Sequence, residues 1–419
     1  MRQTRIPGWF EFYRTACPVC GKVGGCITNE DGSLVACIRV ESDRPFSKNS
    51  ALPSYLHFMK KGQRRAVDKH NIEPLEKSLP KADIDKIHMV YSAMLDCLSL
   101  TEEHYAHLTS SNRGLSDEVI MIRQYKTLPS RNAWVVKEIS DILGINDFSG
   151  IPGFYLHKSE TSEFWAIAGM EGILIPYRDQ RNNIVGFQYR IDNPTNEINV
   201  SLLSGCKREL LQVKLEQPNI VQVAYEGEII FTGELELGAS KIINYEGQPL
   251  CIVTLKKGNR YFWLSSANKY KGTGVGNPAP VHVAVPSDEL ATWTQGTLRK
   301  AKTVWVSEGA LKCDIAVDLV KKLYSPEELD DIGTTFLALP GVNAYRLAFP
   351  ILQEMGVTTV NLAYDMDAAR NPHVQKAMIE FIKELKAQNI GVRLALWNDK
   401  YKGIDDLLLN HQLPQFHHV

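Results

Sequence analysis

Acidic side chains follow three short apolar runs in the last quarter of the chain. They are Glu308, the pair Asp365 and Asp367, and the pair Asp405 and Asp406. Because the runs are typical of β-strands, these carboxylates stand where strands end. Acids brought together in this way repel one another and stay ionised only beside a compensating cation. Carboxylate oxygens suit Mg²⁺ or Mn²⁺, so the pattern predicts a metal site for phosphoryl transfer.

Alternating strand and helix patterns surround these acids. The strand patterns cover residues 303–307, 335–339, 358–364 and 392–397, and the helical patterns cover residues 311–323, 344–355 and 372–388. Such alternation predicts a parallel sheet with helices on its faces. Loops at the carboxyl ends of neighbouring parallel strands meet at one crevice, which would bring the acids together.

The order and spacing of the acids resemble those of the Toprim domain, which bacterial-type primases, type IA and II topoisomerases and some nucleases share. The resemblance covers roughly residues 301–412 and includes Gly309 after the first acid and Lys402-Gly403 before the last pair. It implies that Glu308, Asp365, Asp367 and Asp405 are magnesium ligands, with Asp406 as a further acid. Glu308 could instead be the base that takes a proton from a primer 3′-hydroxyl.

Two points about these residues stay open from the sequence. Lys312 lies one helical turn past Glu308 and completes the expected catalytic set, where it could contact a phosphate or pair with that acid. The alternative for all the acids is an ordinary solvated place at helix N-termini, where carboxylates are favoured by the helix dipole.

Four of the eight cysteines, at positions 17, 20, 26 and 37, lie close together near the N-terminus. Cys17 and Cys20 form a CxxC knuckle, in which Gly21 permits a tight turn, and Cys26 and Cys37 can complete a tetrahedron around Zn²⁺. A redox CxxC is the rival interpretation, but it expects a βαβ context, whereas this segment is rich in glycine. The pattern therefore predicts a structural zinc site.

The segment 1–44 resembles the zinc-binding domain that precedes the catalytic core in bacterial-type primases. That family usually uses Cys, His, Cys and Cys as ligands, and no histidine stands in this knuckle. Residues 45–82, with scattered prolines and a basic run, are typical of a linker.

The middle of the chain, residues 83–300, predicts helices followed by strands. Apolar runs at 172–179 and 184–190 predict a β-hairpin, which resembles the domain directly before Toprim in bacterial-type primases. A β-rich insert at about 207–258 departs from that family's core. We expect Arg190, Arg260, Lys269 and Lys271 to contact template or nucleotide phosphates, because polymerisation needs cations that balance them.

Composition limits the remaining possibilities. The 419 residues are 44% hydrophobic and 23% charged, as expected of a globular chain with two to four domains. The net charge of −1 means that any nucleic-acid surface is local. The sequence has neither a membrane-spanning run nor a signal-peptide core, so a cytoplasmic protein is expected. It also lacks a GxxxxGK[ST] phosphate loop, which argues against a helicase or an ATPase.

These elements, in this order, resemble a bacterial-type DNA primase of phages, plasmids or other mobile elements. The implied fold is a multidomain α/β protein with a zinc ribbon (1–44), a linker (45–82), a primase-core subdomain (83–300) and a Toprim domain (301–419). The resemblance implies primer synthesis on single-stranded DNA from nucleoside triphosphates, with structural Zn²⁺ and catalytic Mg²⁺ or Mn²⁺. A replicative helicase, if used, would act in trans. A metal-dependent Toprim nuclease and a non-catalytic single-strand binder remain alternatives.

Overall fold

The computed structural model describes residues 1–4, 6–13, 15–40, 42, 44–47, 54–60, 62, 64–68, 72, 78–158, 162–207, 210–216, 218–276, 278–366 and 372–419. The chain forms two compact units, each built from two separate stretches. The first comprises Met1–Leu75 and Ile191–Phe262, and the second comprises Glu76–Arg190 and Trp263–Val419. In the described part of the chain, no helix is both long enough and apolar enough to cross a membrane.

The strands, in chain order, are β1 (Arg2–Gln3), β2 (Trp9–Glu11), β3 (Ile27–Asn29), β4 (Leu34–Cys37), β5 (Pro45–Ser47), β6 (Ser54–Phe58), β7 (Lys126–Leu128), β8 (Phe154–Lys158), β9 (Glu163–Ile167), β10 (Gly172–Arg178), β11 (Ile184–Arg190), β12 (Glu197–Leu202), β13 (Leu211–Glu216), β14 (Ile220–Tyr225), β15 (Glu228–Glu234), β16 (Ser240–Tyr245), β17 (Gln248–Lys256), β18 (Tyr261–Trp263), β19 (His282–Ala284), β20 (Thr303–Glu308), β21 (Phe336–Leu339), β22 (Thr359–Leu362), β23 (Gly391–Leu396) and β24 (Gln415–His418).

The helices are α1 (Ile84–Cys97), α2 (Glu102–Thr109), α3 (Asp117–Arg123), α4 (Ala133–Leu143), α5 (Ser287–Thr292), α6 (Ala310–Leu323), α7 (Pro326–Ile332), α8 (Ala348–Met355), α9 (Pro372–Ala387) and α10 (Ile404–Leu409). A 3₁₀-helix, Val342–Leu347, leads into α8.

The N-terminal part of the first unit is an antiparallel sheet in the order β1-β2-β3-β4-β6-β5. Among the described residues, its buried apolar cluster has six members, of which three are cysteines: Cys17, Cys26 and Cys37. So small an apolar core rarely holds a domain together by burial alone, and small domains commonly add a metal. The fold of this part therefore favours the predicted zinc site.

The rest of the first unit contains the β-rich insert as two three-stranded antiparallel sheets, β12-β17-β16 and β13-β14-β15. Every second residue of β14 is buried, namely Val221, Val223 and Tyr225, as expected of a strand with one face on a core. Two hairpin turns carry consecutive positive φ angles, at residues 226–227 and 246–247, which is the type I′ arrangement that matches strand twist. The predicted strand character of the insert is confirmed.

The second unit contains the predicted hairpin as β10 and β11, paired antiparallel with Ile173 opposite Arg190. The Asp179 side chain closes the turn, because its Oδ1 accepts hydrogen bonds of 2.8 Å from the backbone N–H groups of Arg181 and Asn183. Strand β7 pairs with the other edge of β10. The predicted helical segments appear as α1 to α4.

A six-stranded sheet, β19-β21-β20-β22-β23-β24, forms the C-terminal part of the second unit. The four inner strands, β21, β20, β22 and β23, are parallel to one another. Strands β19 and β24 pair antiparallel with β21 and β23 at the two edges. Both faces are covered: Trp305 packs into one apolar cluster, whereas Val304 and Val306 pack into another. The predicted parallel sheet is confirmed, and its antiparallel edges are an addition to the prediction.

Candidate functional site

Glu308 is the last residue of β20, and α6 begins two residues later. The intervening Gly309 has φ +82°, a conformation that side chains disfavour, so the sharp strand-to-helix turn needs glycine here. Glu308 Oε1 accepts a hydrogen bond from the backbone N–H of Val342, which follows the neighbouring strand β21. The carboxylate is thus held at the carboxyl edge of the parallel sheet.

Lys312, in the first turns of α6, forms an ion pair with Asp365 just beyond the end of β22. Burial alone would lower the pKa of Lys312, but the carboxylates of Asp365 and Asp405 outweigh it, so the pKa is raised. Lys312 therefore carries its charge at neutral pH. The sequence analysis allowed an ion pair between Lys312 and Glu308. In the structure Lys312 is paired with Asp365 instead.

Asp405, the second residue of α10, is only 3% exposed. Its Oδ2 accepts a 3.2 Å hydrogen bond from Nη1 of Arg113, whereas its buried Oδ1 has no hydrogen-bond partner among the described residues. Burial, with a contribution from Asp406, raises the pKa of Asp405 to about 6 although Lys312 and Arg113 oppose the shift. A buried carboxylate oxygen without a partner is uncommon and calls for an unseen cation or donor.

The glycine before α10 brings these groups together. A Cβ on Gly403 would lie 2.5 Å from Asp405 Oδ1 and 3.2 Å from Lys312 Nζ, so any side chain there would displace both. Asp406 Oδ2 accepts a 3.3 Å hydrogen bond from the Gly403 N–H and thereby closes the first turn of α10. Asp405 and Lys312 thus share one small space, and Asp406 stabilises the loop that forms it.

A backbone hydrogen bond joins the loop after Asp365 to the loop before Asp405. The backbone N–H of Met366 donates to the carbonyl of Lys402 at 3.1 Å. Asp367, a predicted magnesium ligand, lies outside the described residues. Carboxylate oxygens are the donors that a divalent cation requires, so Glu308, Asp365 and Asp405 suit such an ion by their chemistry, although as placed among the described residues they do not bring three ligand atoms within 4.8 Å of one another.

The four N-terminal cysteines form the second site. Among the described residues, they are the one group of three or more His, Cys, Asp or Glu side chains with ligand atoms within 4.8 Å of one another. Sγ of Cys26 lies 3.7 Å from that of Cys20 and 3.6 Å from that of Cys37. Tetrahedral Zn²⁺ with Zn–S bonds of about 2.3 Å requires sulfurs about 3.8 Å apart, so the residues present fit zinc.

Donors around the sulfurs also fit a thiolate site. The backbone N–H groups of Arg39 and Val40 point at Cys37 Sγ from 3.4 and 3.3 Å, and Arg39 Nη1 lies 3.5 Å from Cys26 Sγ. Hydrogen bonds to Cys26 and Cys37, and then burial, raise the pKa of the Cys17 thiol. Four thiolates therefore need a cation to coexist here, and such outer-shell donors are typical of structural zinc sites.

The predicted phosphate-binding residues lie in different surroundings. Arg190 ends β11 and is 4% exposed, so it offers little surface to a ligand. Arg260 belongs to the first unit, just before β18. Lys269 and Lys271 are exposed in the second unit, in the loop 266–273.

That loop presents cations beside aromatic rings. Lys269 Nζ lies 5.3 Å from the ring centroid of Tyr155, and Lys158 and Lys271 lie 6.0 and 5.9 Å from that of Tyr270. The Ser266 side chain braces the loop, because it donates to the Thr273 carbonyl at 3.0 Å and accepts from the Thr273 N–H at 2.9 Å. The ring of Tyr270 is exposed and that of Tyr155 is half-buried, and aromatic rings beside lysines are typical of surfaces that bind single-stranded nucleic acid.

A buried polar network holds the opposite side of α6. Arg123 of α3 forms ion pairs with Asp314 and Asp318. Asp314 also accepts from the Tyr125 hydroxyl at 2.6 Å and from His282 Nε2 at 3.1 Å. Burial alone would raise the pKa of Asp314, but Arg123 and His282 lower it to about 2. Sequence analysis gave Arg123, Asp314 and Arg113 no role, because each acts through a partner remote in sequence.

Comparison with known proteins gives distant similarities. Residues 299–414 match the family model described as Domain of unknown function (DUF3854), and no curated protein matches. The crystal structure of the Aquifex aeolicus primase (zinc-binding and RNA polymerase domains) is 12% identical, with 99% of this chain and 81% of that chain covered and a TM-score of 0.40.

Two further solved structures are similar at the same level. The RNA polymerase domain of Mycobacterium tuberculosis primase DnaG, solved with a double-stranded DNA oligomer with a 6-nucleotide overhang, is 11% identical over 79% of this chain and 80% of that one, with a TM-score of 0.41. The primase fragment of the bacteriophage T7 primase-helicase protein is 12% identical over 96% of this chain and 95% of that one, with a TM-score of 0.29.

Proposed function

We propose that this chain is a primase-like nucleotidyltransferase that makes short primers on single-stranded DNA with the help of a divalent metal ion. The observation that carries the proposal is Asp405, a buried carboxylate near Lys312, one oxygen of which has no partner in the part of the chain that the structure describes, while Lys312 is paired with Asp365. A perturbed acid of this kind, at the carboxyl edge of a parallel sheet, marks a candidate active site. We assign residues 301–419 to the Toprim type on the order of their acids.

Glu308, Asp365, Asp367 and Asp405 are the residues that would hold Mg²⁺ or Mn²⁺. When bound, the metal would neutralise charge on the triphosphate and orient it for in-line displacement. Lys312, charged and largely buried beside Asp365, would contact a phosphate oxygen as a point charge. Glu308, held by the Val342 N–H, would be either a ligand or the base that accepts the proton of the 3′-hydroxyl.

Substrate handling rests on two other parts of the chain. We assign residues 1–44, whose sheet is extended by β5 and β6 from the predicted linker 45–82, to a zinc-binding module for single-stranded template, and residues 83–300 to a primase-type core. The exposed lysines of the loop 266–273, Lys269 and Lys271, would contact the backbone of the strand, and Tyr155 and Tyr270 offer rings for base stacking. Arg260 would supply a further cation for nucleotide or template phosphates, whereas Arg190, predicted to do the same, is too deeply buried for that role.

Primer synthesis is tested by incubating the zinc-loaded full chain with Mg²⁺ or Mn²⁺, mixed-sequence single-stranded DNA and labelled ribo- and deoxyribonucleoside triphosphates. New labelled oligonucleotides are expected with the wild-type chain and not with Asp365→Ala or Asp405→Asn. Asp330→Asn, which changes an exposed acid of α7, serves as the matched control and should retain activity.

Two other outcomes would replace the proposal. Shortening of end-labelled template, lost in Asp365→Ala, would identify a metal-dependent nuclease that uses the same acids. Retention of strand binding without any new or shortened oligonucleotide would instead identify a non-catalytic binder, since such a role needs the cations and not the carboxylates.

A further inference from the structure

Arg113 reaches the acidic site from a distant part of the sequence. It lies in the turn between α2 and α3, 292 residues before Asp405, and its Nη1 donates to Asp405 Oδ2 at 3.2 Å. Its side chain is 22% exposed and the carboxylate that it contacts is 4% exposed. An arginine in this position is therefore part of the wall around Asp405 and not a freely solvated surface cation.

The turn that carries Arg113 is built against the helix that carries Asp405. Gly114 has φ +62°, and a Cβ there would lie 3.0 Å from Leu409 Cδ2 of α10. Leu115 is buried in the same apolar cluster as Leu407 and Leu408 of that helix. The backbone next to Arg113 is thus fixed relative to α10 by packing that does not involve the guanidinium.

The two oxygens of Asp405 are treated differently. Arg113 donates to Oδ2, whereas Oδ1 is buried and has no hydrogen-bond partner within the described ranges, which leave out residues 367–371. The single hydrogen bond from Arg113 to Oδ2 limits how far the carboxylate can rotate, because a hydrogen bond weakens steeply away from its preferred direction. The other oxygen is then presented in one direction, at the point next to Gly403 and Lys312 where a Cβ would meet it.

We propose that Arg113 is a positioning residue that orients Asp405 so that Oδ1 serves as a single-oxygen ligand of the divalent metal. This inference rests on the proposed function, because it assumes that the acids hold a metal. Partners that orient metal ligands from outside typically change metal affinity by about 10–100-fold when they are altered. The positive charge of Arg113 works against cation binding, so a useful test changes the shape of the donor and keeps its charge.

Arg113→Lys makes that change, because lysine keeps the charge but loses the planar fork. The test titrates the zinc-loaded full chain with Mn²⁺ and follows free Mn²⁺ by electron paramagnetic resonance. Asp405→Asn defines the binding that depends on Asp405, and Arg131→Lys, an exposed arginine before α4, is the matched control. We expect the dissociation constant for Mn²⁺ to rise about tenfold or more in Arg113→Lys and to stay unchanged in Arg131→Lys.

Each other result has a distinct meaning. Binding that depends on Asp405 but is as tight in Arg113→Lys as in the wild-type chain overturns this inference and leaves the proposed function standing. No Mn²⁺ binding that depends on Asp405 in the wild-type chain overturns both. Weakened binding in Arg113→Lys, in a chain that makes no primers, supports the role of Arg113 and removes only the proposed reaction.

Discussion

At the scale of single residues, the acids of the candidate site differ sharply in their surroundings. Asp406 caps its own helix, Asp365 is paired with a charged lysine, and Asp405 is buried with one oxygen that no described residue satisfies. Charge and burial oppose each other most strongly at Asp405, and burial raises its pKa to about 6. A buried ionisable group with a strongly shifted pKa lowers the stability of the folded state. Such groups are commonly functional, because nothing in the packing of the fold requires them.

Asp405→Asn is therefore expected to stabilise the protein in buffer without added divalent metal. The pKa of Asp405 is raised from 3.8 to about 6 on folding, so its ionisation destabilises the folded state fully above pH 6 and not at all below about pH 4. Asparagine mimics the neutral acid, so the gain in the free energy of unfolding should be about 3 kcal/mol at pH 7.5 and should shrink as the pH falls towards 4.

Urea denaturation of the two proteins between pH 4.5 and 7.5 measures this difference. A gain that stays constant across the range would show that folding does not raise the pKa of Asp405, and would remove the electrostatic argument for the site.

At the scale of elements, sequence patterns were most informative where burial is continuous. Strands β20 to β23 are apolar runs covered on both faces, and such runs alternate visibly with amphipathic helices. Edge strands β19 and β24 escaped prediction because they are short and their pairing depends on distant neighbours. The predicted helix 344–355 begins instead as a 3₁₀-helix, Val342–Leu347.

The part of the candidate site that depends on the parallel strands could be predicted from the sequence. Acids at strand ends are visible in sequence because the parallel sheet dictates where those ends meet. The contact between Arg113 and Asp405 was not visible, since it joins residues 292 positions apart through packing of a turn on a helix. The unpartnered Asp405 oxygen is likewise a property of burial, which no local pattern reports.

The N-terminal sheet should depend on its metal. Cys26 is fully buried among the other sulfurs, so Cys26→Ala removes one of four ligands and leaves a core too small to compensate. We expect the zinc content to fall from about one ion per chain to near zero and the segment 1–60 to become sensitive to protease.

Cys97→Ala, which changes a half-buried cysteine at the end of α1, should keep both its zinc and its protease resistance. Full zinc content in Cys26→Ala, measured by metal analysis after gel filtration, would contradict a site of four cysteines.

The buried network behind α6 should contribute heavily to the stability of the second unit. The Arg123 and Asp314 side chains are 2% and 3% exposed, so Arg123→Met leaves Asp314 buried without its main partner. Breaking a buried pair from one side typically costs about 3–5 kcal/mol. The same loss is expected in denaturant unfolding of Arg123→Met, and a smaller one in Arg123→Met combined with Asp314→Leu, where no buried charge remains.

The matched control for that experiment is Arg181→Met, which removes an ion pair between half-exposed side chains, Arg181 and Glu354. Exposed pairs contribute about 0–1 kcal/mol. Equal losses in Arg123→Met and Arg181→Met would show that burial of the network does not govern its energy.

At the scale of the whole molecule, the chain is nearly neutral, with 47 basic and 48 acidic residues. A protein of this balance attracts nucleic acid only through local groups of cations, so few phosphates should be neutralised and the salt dependence should be shallow. The loop 266–273 is the best-defined such group in the second unit, because its exposed lysines stand beside aromatic rings.

The salt dependence of single-strand binding should therefore change measurably with two substitutions. Each phosphate contact on a single strand contributes a slope of about 0.7 in log K against log salt, so Lys269→Gln with Lys271→Asn should reduce the slope by about 1.4. Asparagine is chosen because Lys271 has φ +51°, a conformation that asparagine tolerates. Lys137→Gln, which changes an exposed lysine of α4, is the control and should leave the slope unchanged. Fluorescence anisotropy of a labelled oligonucleotide at several salt concentrations measures the slope for the wild-type chain, the double variant and the control. An unaltered slope in the double variant would place the strand on another surface, because a phosphate contact cannot be removed without releasing fewer counterions.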